Sequence, residues 1–191
     1  VFHVTCITHR KNAVYPATIV GVPPMEDAWM GKATEKIFFA PIKLAIAPEI
    51  RELHMPVSGV AHNLVIVNIE KTYPGQGMKV LSALFGAGQM MLSKYIIVVS
   101  GNLPVTDYRA VAEAVFANVR FESDLLLTRG PLDVLDHSSD RFSMGGKLGI
   151  DATVKLPEER TDEYHSVPLL LLTGEQFNEK VVTGMKTMAE F

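Results

Sequence analysis

The chain has 191 residues, of which 48% are hydrophobic and 20% are charged, and its formal net charge at neutral pH is -3. This length fits one domain, or one domain with an extension, and the composition excludes a largely disordered chain. A slightly acidic chain lacks the basic surface that nucleic-acid binding requires, so nucleic acid is excluded as a partner.

The N-terminal quarter of the chain is predicted to form two strands and a helix. Residues 1–8 and 15–20 favour β-structure, and Cys6, the only cysteine, cannot form an internal disulfide, which fits a reducing compartment. Apolar residues then recur at three- and four-residue spacing, which predicts an amphipathic helix with this stripe in the core. The stripe comprises Met25, Trp29, Met30, Ala33, Ile37 and Phe38. Pro41 is expected to end or kink the helix, because proline lacks a backbone N–H and crowds the preceding turn.

The clearest regularity is an alternation of apolar strands with amphipathic helices in the middle of the chain. Apolar runs at residues 64–69, 95–99 and 125–127 are separated by helical periodicity at residues 78–85 and 111–119. Near-continuous apolar strands that alternate with helices are typical of a parallel sheet covered on both faces. We therefore predict an α/β fold, a three-layer α/β/α sandwich around a mostly parallel, mixed sheet, with a C-terminal helical extension.

The last part of the chain is predicted to be a polar arm that leads to a final helix. Residues 157–163 are polar, and apolar residues recur at helical spacing from 177 to 188. We divide the chain into an α/β domain, residues 1–155, and an arm with a docking helix, residues 156–191. The helix packs either on its own domain or on another subunit. The longest apolar run, residues 167–172, is too short to span a bilayer, so no transmembrane segment is expected.

The segment from residue 130 to residue 153 is the candidate site. It combines glycine and proline with ionisable side chains, and it follows a predicted strand at the edge where parallel sheets bind ligands. Arg129 and Lys147 flank it. These two side chains either bind a carboxylate or phosphate, or neutralise Asp133 and Asp136 and so fix the shape of the loop.

Two other motifs were weighed as sites. Residues 75–77 open a helix where backbone N–H groups could hold a phosphate, but Val80 replaces the third glycine of a dinucleotide-binding motif. Asp136, His137 and Ser138 are the residue types of a catalytic triad, yet adjacent residues do not normally converge on one reacting atom. The six histidines lack metal-ligand spacing, so no metal site is expected in this chain.

Seven blocks of sequence follow one another in a recognisable order: residues 8–18, 21–27, 62–67, 73–76, 88–91, 130–139 and 145–153. Together they resemble the C-terminal part of the UbiD family, the prenylated-FMN-dependent decarboxylases of the 3-polyprenyl-4-hydroxybenzoate decarboxylase type. The resemblance implies a carboxy-lyase that acts without oxidation on an aromatic or α,β-unsaturated acid. It implies prenylated FMN, a divalent metal (Mn or Mg) and K as cofactors of the full-length enzyme.

The same resemblance implies what this chain lacks. The catalytic and cofactor-binding residues of the family lie mainly upstream of the matched region, so no catalytic residue is expected here and the isolated chain is expected to be inactive. Its partners are then an N-terminal flavin-binding region and further copies of the chain, bound through the C-terminal helix as a homo-oligomer. The implied setting is cytoplasmic, with peripheral membrane contact as an alternative, and ubiquinone or menaquinone biosynthesis is the commonest association.

Local similarity to the ferulic acid decarboxylase branch implies which residues approach the substrate. Gly130, Pro131 and Leu132 would face it, and Thr18 and Ile19 would approach the same cavity. Leu132 is the residue expected to touch substrate, while Arg129, Asp133, Asp136, His137 and Lys147 shape the loop or pair with anions. The alternative function is a binding or assembly module that shares the fold without chemistry. A weaker alternative is a phosphate-binding domain at residues 75–77.

Overall fold

A computed structural model of the chain describes residues 1–16, 26–60 and 63–160. Within these ranges the chain forms three α-helices and five strands. The helices are α1 (Glu26–Ala45), α2 (Gln76–Phe85) and α3 (Tyr108–Asn118). The strands are β1 (Ile50–His54), β2 (Leu64–Ile69), β3 (Tyr95–Ser100), β4 (Leu125–Pro131) and β5 (Met144–Asp151).

The five strands form one mixed sheet in the order β1-β2-β3-β5-β4. Strands β2, β3 and β5 are parallel to one another, with Val67 opposite Val98 and Val98 opposite Asp151. The outer strands β1 and β4 run antiparallel to β2 and β5. The predicted α/β class and mixed sheet are confirmed. Strand β1 was missing from the prediction.

The prediction that residues 125–127 begin a third parallel strand was wrong. Strand β4 is an antiparallel edge strand, because the twelve-residue connection 132–143 leads directly into its neighbour β5 without a crossover helix. Residues 144–151, expected to form part of a loop, are the strand between β3 and β4. Gly149 suits this position, because a Cβ there would come within 2.9 Å of the Leu81 side chain on α2.

The buried apolar residues divide into two clusters. Val65, Val67, Ile96 and Val98 pack with the α2 residues Val80, Leu81 and Leu84 and with Ile42 of α1. Ile66 and Val99 pack with Val111 of α3. Consecutive side chains of a strand point to opposite faces, so the two clusters lie on opposite faces of the sheet. This explains the unbroken apolar runs of β2 and β3.

Helix α1 does not bury the stripe that was predicted to lie in the core. Trp29 is 74% exposed and Ile37 is 66% exposed, whereas the buried residues of this helix are Glu35 and Ile42. Glu35 and Ile42 are seven residues apart and therefore share a helix face. The helix also continues through Pro41 to Ala45, so of the two effects predicted for Pro41, an end or a kink, the end is wrong.

The N-terminal residues differ from the prediction as well. Residues 1–8 form no strand, and each of them is exposed. A β-favouring pattern becomes a strand only where a neighbouring strand supplies hydrogen-bond partners, and the described part of the sheet pairs with none of these residues. The predicted strand at 15–20, with Thr18 and Ile19, and the predicted C-terminal helix lie largely or wholly outside the described residues.

Membrane crossing was tested for the helices of the described segments. None of these helices combines the length and the apolar character that a bilayer span needs.

Candidate functional site

A cavity of about 690 Å³ is lined by helix α1, the end of β1, the turn at residues 87–92 and the connection 132–143, which we call the β4–β5 loop. Its apolar wall includes Met30, Phe38, Ile42, Leu53 and Met55. The loop contributes Asp133, Leu135 and Asp136. The segment predicted to be the site therefore forms one side of a cavity that can hold a molecule with an apolar body.

Asp136 fixes the β4–β5 loop to the sheet. Its carboxylate lies 2.9 Å from the ammonium nitrogen of Lys94, the residue before β3, and accepts hydrogen bonds from the Ser138 hydroxyl at 2.6 Å and the Ser138 backbone N–H at 2.9 Å. The side chain is 3% exposed. The hydrogen bonds from the Ser138 hydroxyl and from Lys94 lower the pKa of Asp136 to about 2. This carboxyl group is therefore ionised at neutral pH, and it holds the loop in one shape.

Asp133 shapes the start of the same loop. Its Oδ1 accepts a hydrogen bond of 2.8 Å from the backbone N–H of Leu135, two residues on. Aspartate commonly closes a turn in this way, because its short side chain can replace a backbone carbonyl as acceptor. The turn brings the Leu135 side chain, which is 73% exposed, to the cavity wall.

The basic residues that flank the loop have partners that the sequence did not indicate. Arg129 pairs with Asp140 at 3.2 Å, and both side chains are exposed. Lys147 is 4% exposed, donates to the backbone carbonyl of Met91 and lies 5.1 Å from the centre of the Phe85 ring. Burial lowers the pKa of Lys147. Asp136, which Lys147 was expected to neutralise, pairs with Lys94 instead. Lys147 lies on the same face of β5 as Gly149, and this face is turned towards α2.

Gly130, Pro131 and Leu132, which were expected to face the substrate, lie outside the lining of this cavity, and their role stays a prediction. Leu132 is 1% exposed and lies against Gly145, where a Cβ would come within 2.7 Å of Leu132 Cδ1. Gly130 and Pro131 form the last pairs of β4 with β5. None of these three is among the residues that line the cavity, and His137 is exposed outside it. Within the described β4–β5 loop, Leu135 is the apolar residue that lines the cavity, beside Asp133 and Asp136.

Sequence reasoning missed a buried charged group in the cavity wall. The Glu35 carboxylate is 3% exposed, accepts hydrogen bonds from the Met55 N–H at 2.9 Å and from Lys32 at 3.0 Å, and lies 3.2 Å from Nδ1 of His54. Burial raises the pKa of Glu35, but the hydrogen bonds from Met55 and Lys32 outweigh burial and leave it below the usual value. The seven-residue spacing of Glu35 and Ile42 was the available signal, and the apolar stripe on another face obscured it.

At residues 75–77, where the sequence suggested a phosphate site, a carboxylate of the chain itself already accepts the backbone hydrogen bond. The backbone N–H of Gly75 donates to the Glu159 carboxylate at 2.8 Å, and Lys71 pairs with that carboxylate at 2.6 Å. On the other side, a Cβ at Gly77 would meet the Asp151 carboxyl group at 2.3 Å. Two carboxylates at this helix start oppose a bound phosphate, so the described structure does not support this alternative.

The lining of this cavity does not match the charge of a flavin phosphate. Among residues 1–16, 26–60 and 63–160, no group of three His, Cys, Asp or Glu side chains is placed to hold a metal ion. The ionisable residues that line the cavity are Asp27, Glu35, Asp133 and Asp136, all acidic. No basic side chain of this described lining therefore balances the negative charge of a phosphate.

Solved structures share this fold. Vanillic acid decarboxylase of Sedimentibacter hydroxybenzoicus in its open form has a TM-score of 0.67 at 24% identity, covering 88% of this chain and 36% of that chain. The UbiD-class enzyme HmfF of Pelotomaculum thermopropionicum in complex with FMN has a TM-score of 0.61 at 24% identity, covering 78% and 33%. An evolved dimeric form of HmfF in complex with prFMN has a TM-score of 0.53 at 23% identity, covering 77% and 30%. At these identities the likeness is one of fold.

Relatives found by sequence have higher sequence identity to this chain than these solved structures. An uncharacterised protein of Archaeoglobus fulgidus is 50% identical over 160 residues, which is 83% of this chain and 33% of that protein. An uncharacterised protein of Aquifex aeolicus is 46% identical over 157 residues, or 82% and 32%. The chain thus spans about a third of the length of these curated relatives.

The family model that matches the chain describes the C-terminal domain of 3-octaprenyl-4-hydroxybenzoate carboxy-lyase, and it matches residues 28–152. The match includes α1, the whole sheet and the β4–β5 loop. It confirms the family indicated by the seven sequence blocks. The chain belongs to the UbiD family, and residues 28–152 are its UbiD C-terminal domain.

Proposed function

We propose that this chain forms one wall of the substrate cleft in a carboxy-lyase that acts, without oxidation, on an aromatic or α,β-unsaturated acid. One observation carries the proposal: the largely apolar cavity is closed on one side by a β4–β5 loop that Asp136 and Lys94 hold in place. The family supports the reaction class, and vanillic acid, the substrate in the name of one structural neighbour, is an aromatic acid.

The apolar wall suits the ring or the conjugated chain of such a substrate. Met30, Phe38 and Met55 offer aromatic and thioether surface, and Leu135 adds an exposed aliphatic side chain from the loop. In this proposal Leu135 contacts the substrate, while Leu132 supports the loop from beneath. Thr18 and Ile19 approach the same cavity, and Gly130 and Pro131 set where the loop begins.

The flavin-binding region is proposed to lie outside the described residues. The acidic cavity lining and the lack of a three-ligand metal group in the described ranges support this placement. Prenylated FMN, with Mn or Mg and K, would supply the chemistry of decarboxylation from that region. The catalytic groups lie there too, and the chain alone is inactive.

The wider assembly is part of the same proposal. Residues 1–155 form a three-layer α/β/α sandwich, and residues 156–191 form the arm and helix that join copies into a homo-oligomer. The two apolar clusters on opposite sheet faces support the layering. We place the enzyme in the cytoplasm, with peripheral membrane contact as the alternative, and in quinone biosynthesis.

The test compares the isolated chain with the product of the natural open reading frame that encodes it. Both are produced with prenylated FMN, and CO₂ release is measured on a panel of aromatic and α,β-unsaturated acids. We expect release by the flavin-loaded natural product and none by the isolated chain. Release by the isolated chain would overturn the placement of the catalytic groups. If the flavin-loaded protein encoded by the natural open reading frame releases no CO₂ from any acid, the alternative function, a non-catalytic binding or assembly module, is favoured.

Leu135→Ala tests the cavity wall within that comparison. Truncation of a wall residue should change the relative turnover of acids of different size and leave flavin content unchanged. Leu127→Ala is the matched control, because Leu127 is 75% exposed, close to the 73% of Leu135, and lies on β4 away from the cavity. Equal effects of the two substitutions on substrate preference would contradict the proposal that Leu135 contacts the substrate.

A further inference from the structure

A line of polar side chains runs from helix α1 through the sheet edge to helix α3. His54, at the end of β1, is 5% exposed. Its Nδ1 lies 2.8 Å from the ammonium nitrogen of Lys32 and 3.2 Å from the Glu35 carboxylate. Its Nε2 lies 2.9 Å from the hydroxyl oxygen of Tyr108, the first residue of α3. A buried imidazole thus connects a buried ion pair with a phenol.

The contacts determine how this imidazole acts on the phenol. An ammonium group can only donate, so the short contact with Lys32 assigns Nδ1 as acceptor and puts the ring proton on Nε2. Nε2–H then donates to the phenolic oxygen of Tyr108 and stabilises negative charge there. This donation from His54 supports the phenolic oxygen as a nucleophile.

Tyr108 combines this buried support with access from outside. It is 52% exposed and borders a second cavity, a groove of about 430 Å³. The groove is lined mainly by apolar side chains, among them Pro56, Leu64, Ile66, Ile97 and Phe116. Such a lining favours an aromatic or aliphatic group over a charged one. A buried hydrogen-bond donor, an exposed hydroxyl and an adjacent apolar groove are the parts of a nucleophilic site.

We propose that Tyr108 is a reactive phenol that accepts acyl or sulfonyl groups from aromatic electrophiles bound in this groove. The Tyr108 oxygen forms a bond to the acyl carbon or sulfonyl sulfur, and the bond to the leaving group breaks. The leaving group departs with the bonding electron pair, and the phenolic proton passes to water. No oxidant, reductant or cofactor is needed. The groove shares no lining residue with the cavity beside the β4–β5 loop, whose wall contains Glu35, and the labelling of Tyr108 does not depend on the function proposed above.

The test measures which tyrosines benzenesulfonyl fluoride labels in the whole 191-residue chain. Fluoride is the leaving group, and peptide mass spectrometry gives a labelling rate for each tyrosine. Tyr73 and Tyr95 are internal controls, because each is 44% exposed. We expect Tyr108 to react about tenfold faster than either control, the size of effect that one hydrogen bond to a charged group produces. Equal rates at the three tyrosines would overturn the proposal.

Two variants test whether His54 and Lys32 activate Tyr108. His54→Gln and Lys32→Met should each lower the Tyr108 rate towards that of Tyr73, while the Tyr73 and Tyr95 rates stay constant and report an intact fold. His137→Gln, at an exposed histidine, is the matched control and should retain the selectivity. Selective labelling that survives in both Lys32→Met and His54→Gln would overturn the proposal. If His54→Gln does not fold, Lys32→Met decides, because Lys32 is partly exposed.

A third variant separates the groove from the activation. Ala112, which lines the groove, is replaced by Trp to fill it. We expect benzenesulfonyl fluoride to label Tyr108 more slowly in Ala112→Trp, while the small reagent N-acetylimidazole labels it as in the parent chain. An unchanged rate with benzenesulfonyl fluoride would overturn the groove as the binding site for the aromatic group.

Discussion

Asp136 in the β4–β5 loop lies 2.9 Å from Lys94, the residue that precedes β3, although the two are 42 positions apart in the chain. This ion pair joins the loop to one of the parallel strands of the sheet. With the hydrogen bonds from Ser138, it holds one side of the cavity in a single conformation.

Asp136→Asn should remove a pH-dependent part of the stability. The pKa of Asp136 is about 2 in the folded chain against an ordinary value of 3.8, so its carboxylate stabilises the fold fully above pH 3.8. That contribution declines as the pH falls from 3.8 towards about 2. Urea unfolding should therefore show parent and variant differing at neutral pH and converging in acid. Asp140→Asn, in an exposed ion pair, is the control with a smaller difference. A parent–variant gap that stays constant down to acid pH would argue against the Asp136 pair.

Leu132→Ala should destabilise the chain, because it empties a fully buried site between the loop and β5. Replacement of a buried leucine by alanine costs about 3 kcal/mol in the free energy of unfolding. Leu135→Ala, three residues on, removes the same atoms from an exposed position and should change it by less than about 0.5 kcal/mol. Urea unfolding of the two variants decides the matter. Similar losses from both would contradict the assignment of Leu132 to support and Leu135 to the cavity wall.

Gly77→Ala should destabilise the contact between α2 and β5. A Cβ at this position would lie 2.3 Å from the buried Asp151 carboxyl group, which also accepts a hydrogen bond from the Thr153 N–H and so has little freedom to move. We expect a loss of about 2 kcal/mol in the free energy of unfolding, typical of overpacking. Gly146→Ala is the control, because its Cβ would meet nothing within 4 Å. That change should raise the free energy of unfolding by about 0.5 kcal/mol, because alanine lowers the conformational entropy of the unfolded chain. Thermal unfolding of both variants checks the difference in sign.

The middle of the fold could be predicted from the sequence because its signals are local. The runs that became β2 and β3 are apolar on both faces, α2 buries residues at helical spacing, and α3 packs buried Val111 and partly buried Val115 on the sheet, so the pattern and the structure agree. The direction of β4 could not be predicted in the same way. Direction depends on the position of β5, whose glycines at 145, 146 and 149 are typical of a loop in the sequence, whereas in the fold Gly149 lies against α2 and Gly145 against the β4–β5 loop.

The site predicted from glycine, proline and aspartate stays a prediction. The structure places part of that segment, the β4–β5 loop, beside a cavity. Its partner Lys94 carries no local signal, because only the folded sheet brings residues 94 and 136 together. Glu35 was hidden for a related reason. A charged residue on a helix normally faces solvent, and here the backbone N–H of Met55 and the ammonium group of Lys32 allow it to be buried.

The anchoring of the β4–β5 loop has a consequence for protein engineering. A loop grafted from this chain into a relative would keep its shape only if the recipient has a lysine immediately before the strand that corresponds to β3. The unit to transplant is therefore residues 132–143 together with Lys94. A library that varies Leu135 while both anchors stay constant would change the surface offered to a bound molecule and leave the backbone beneath it unaltered.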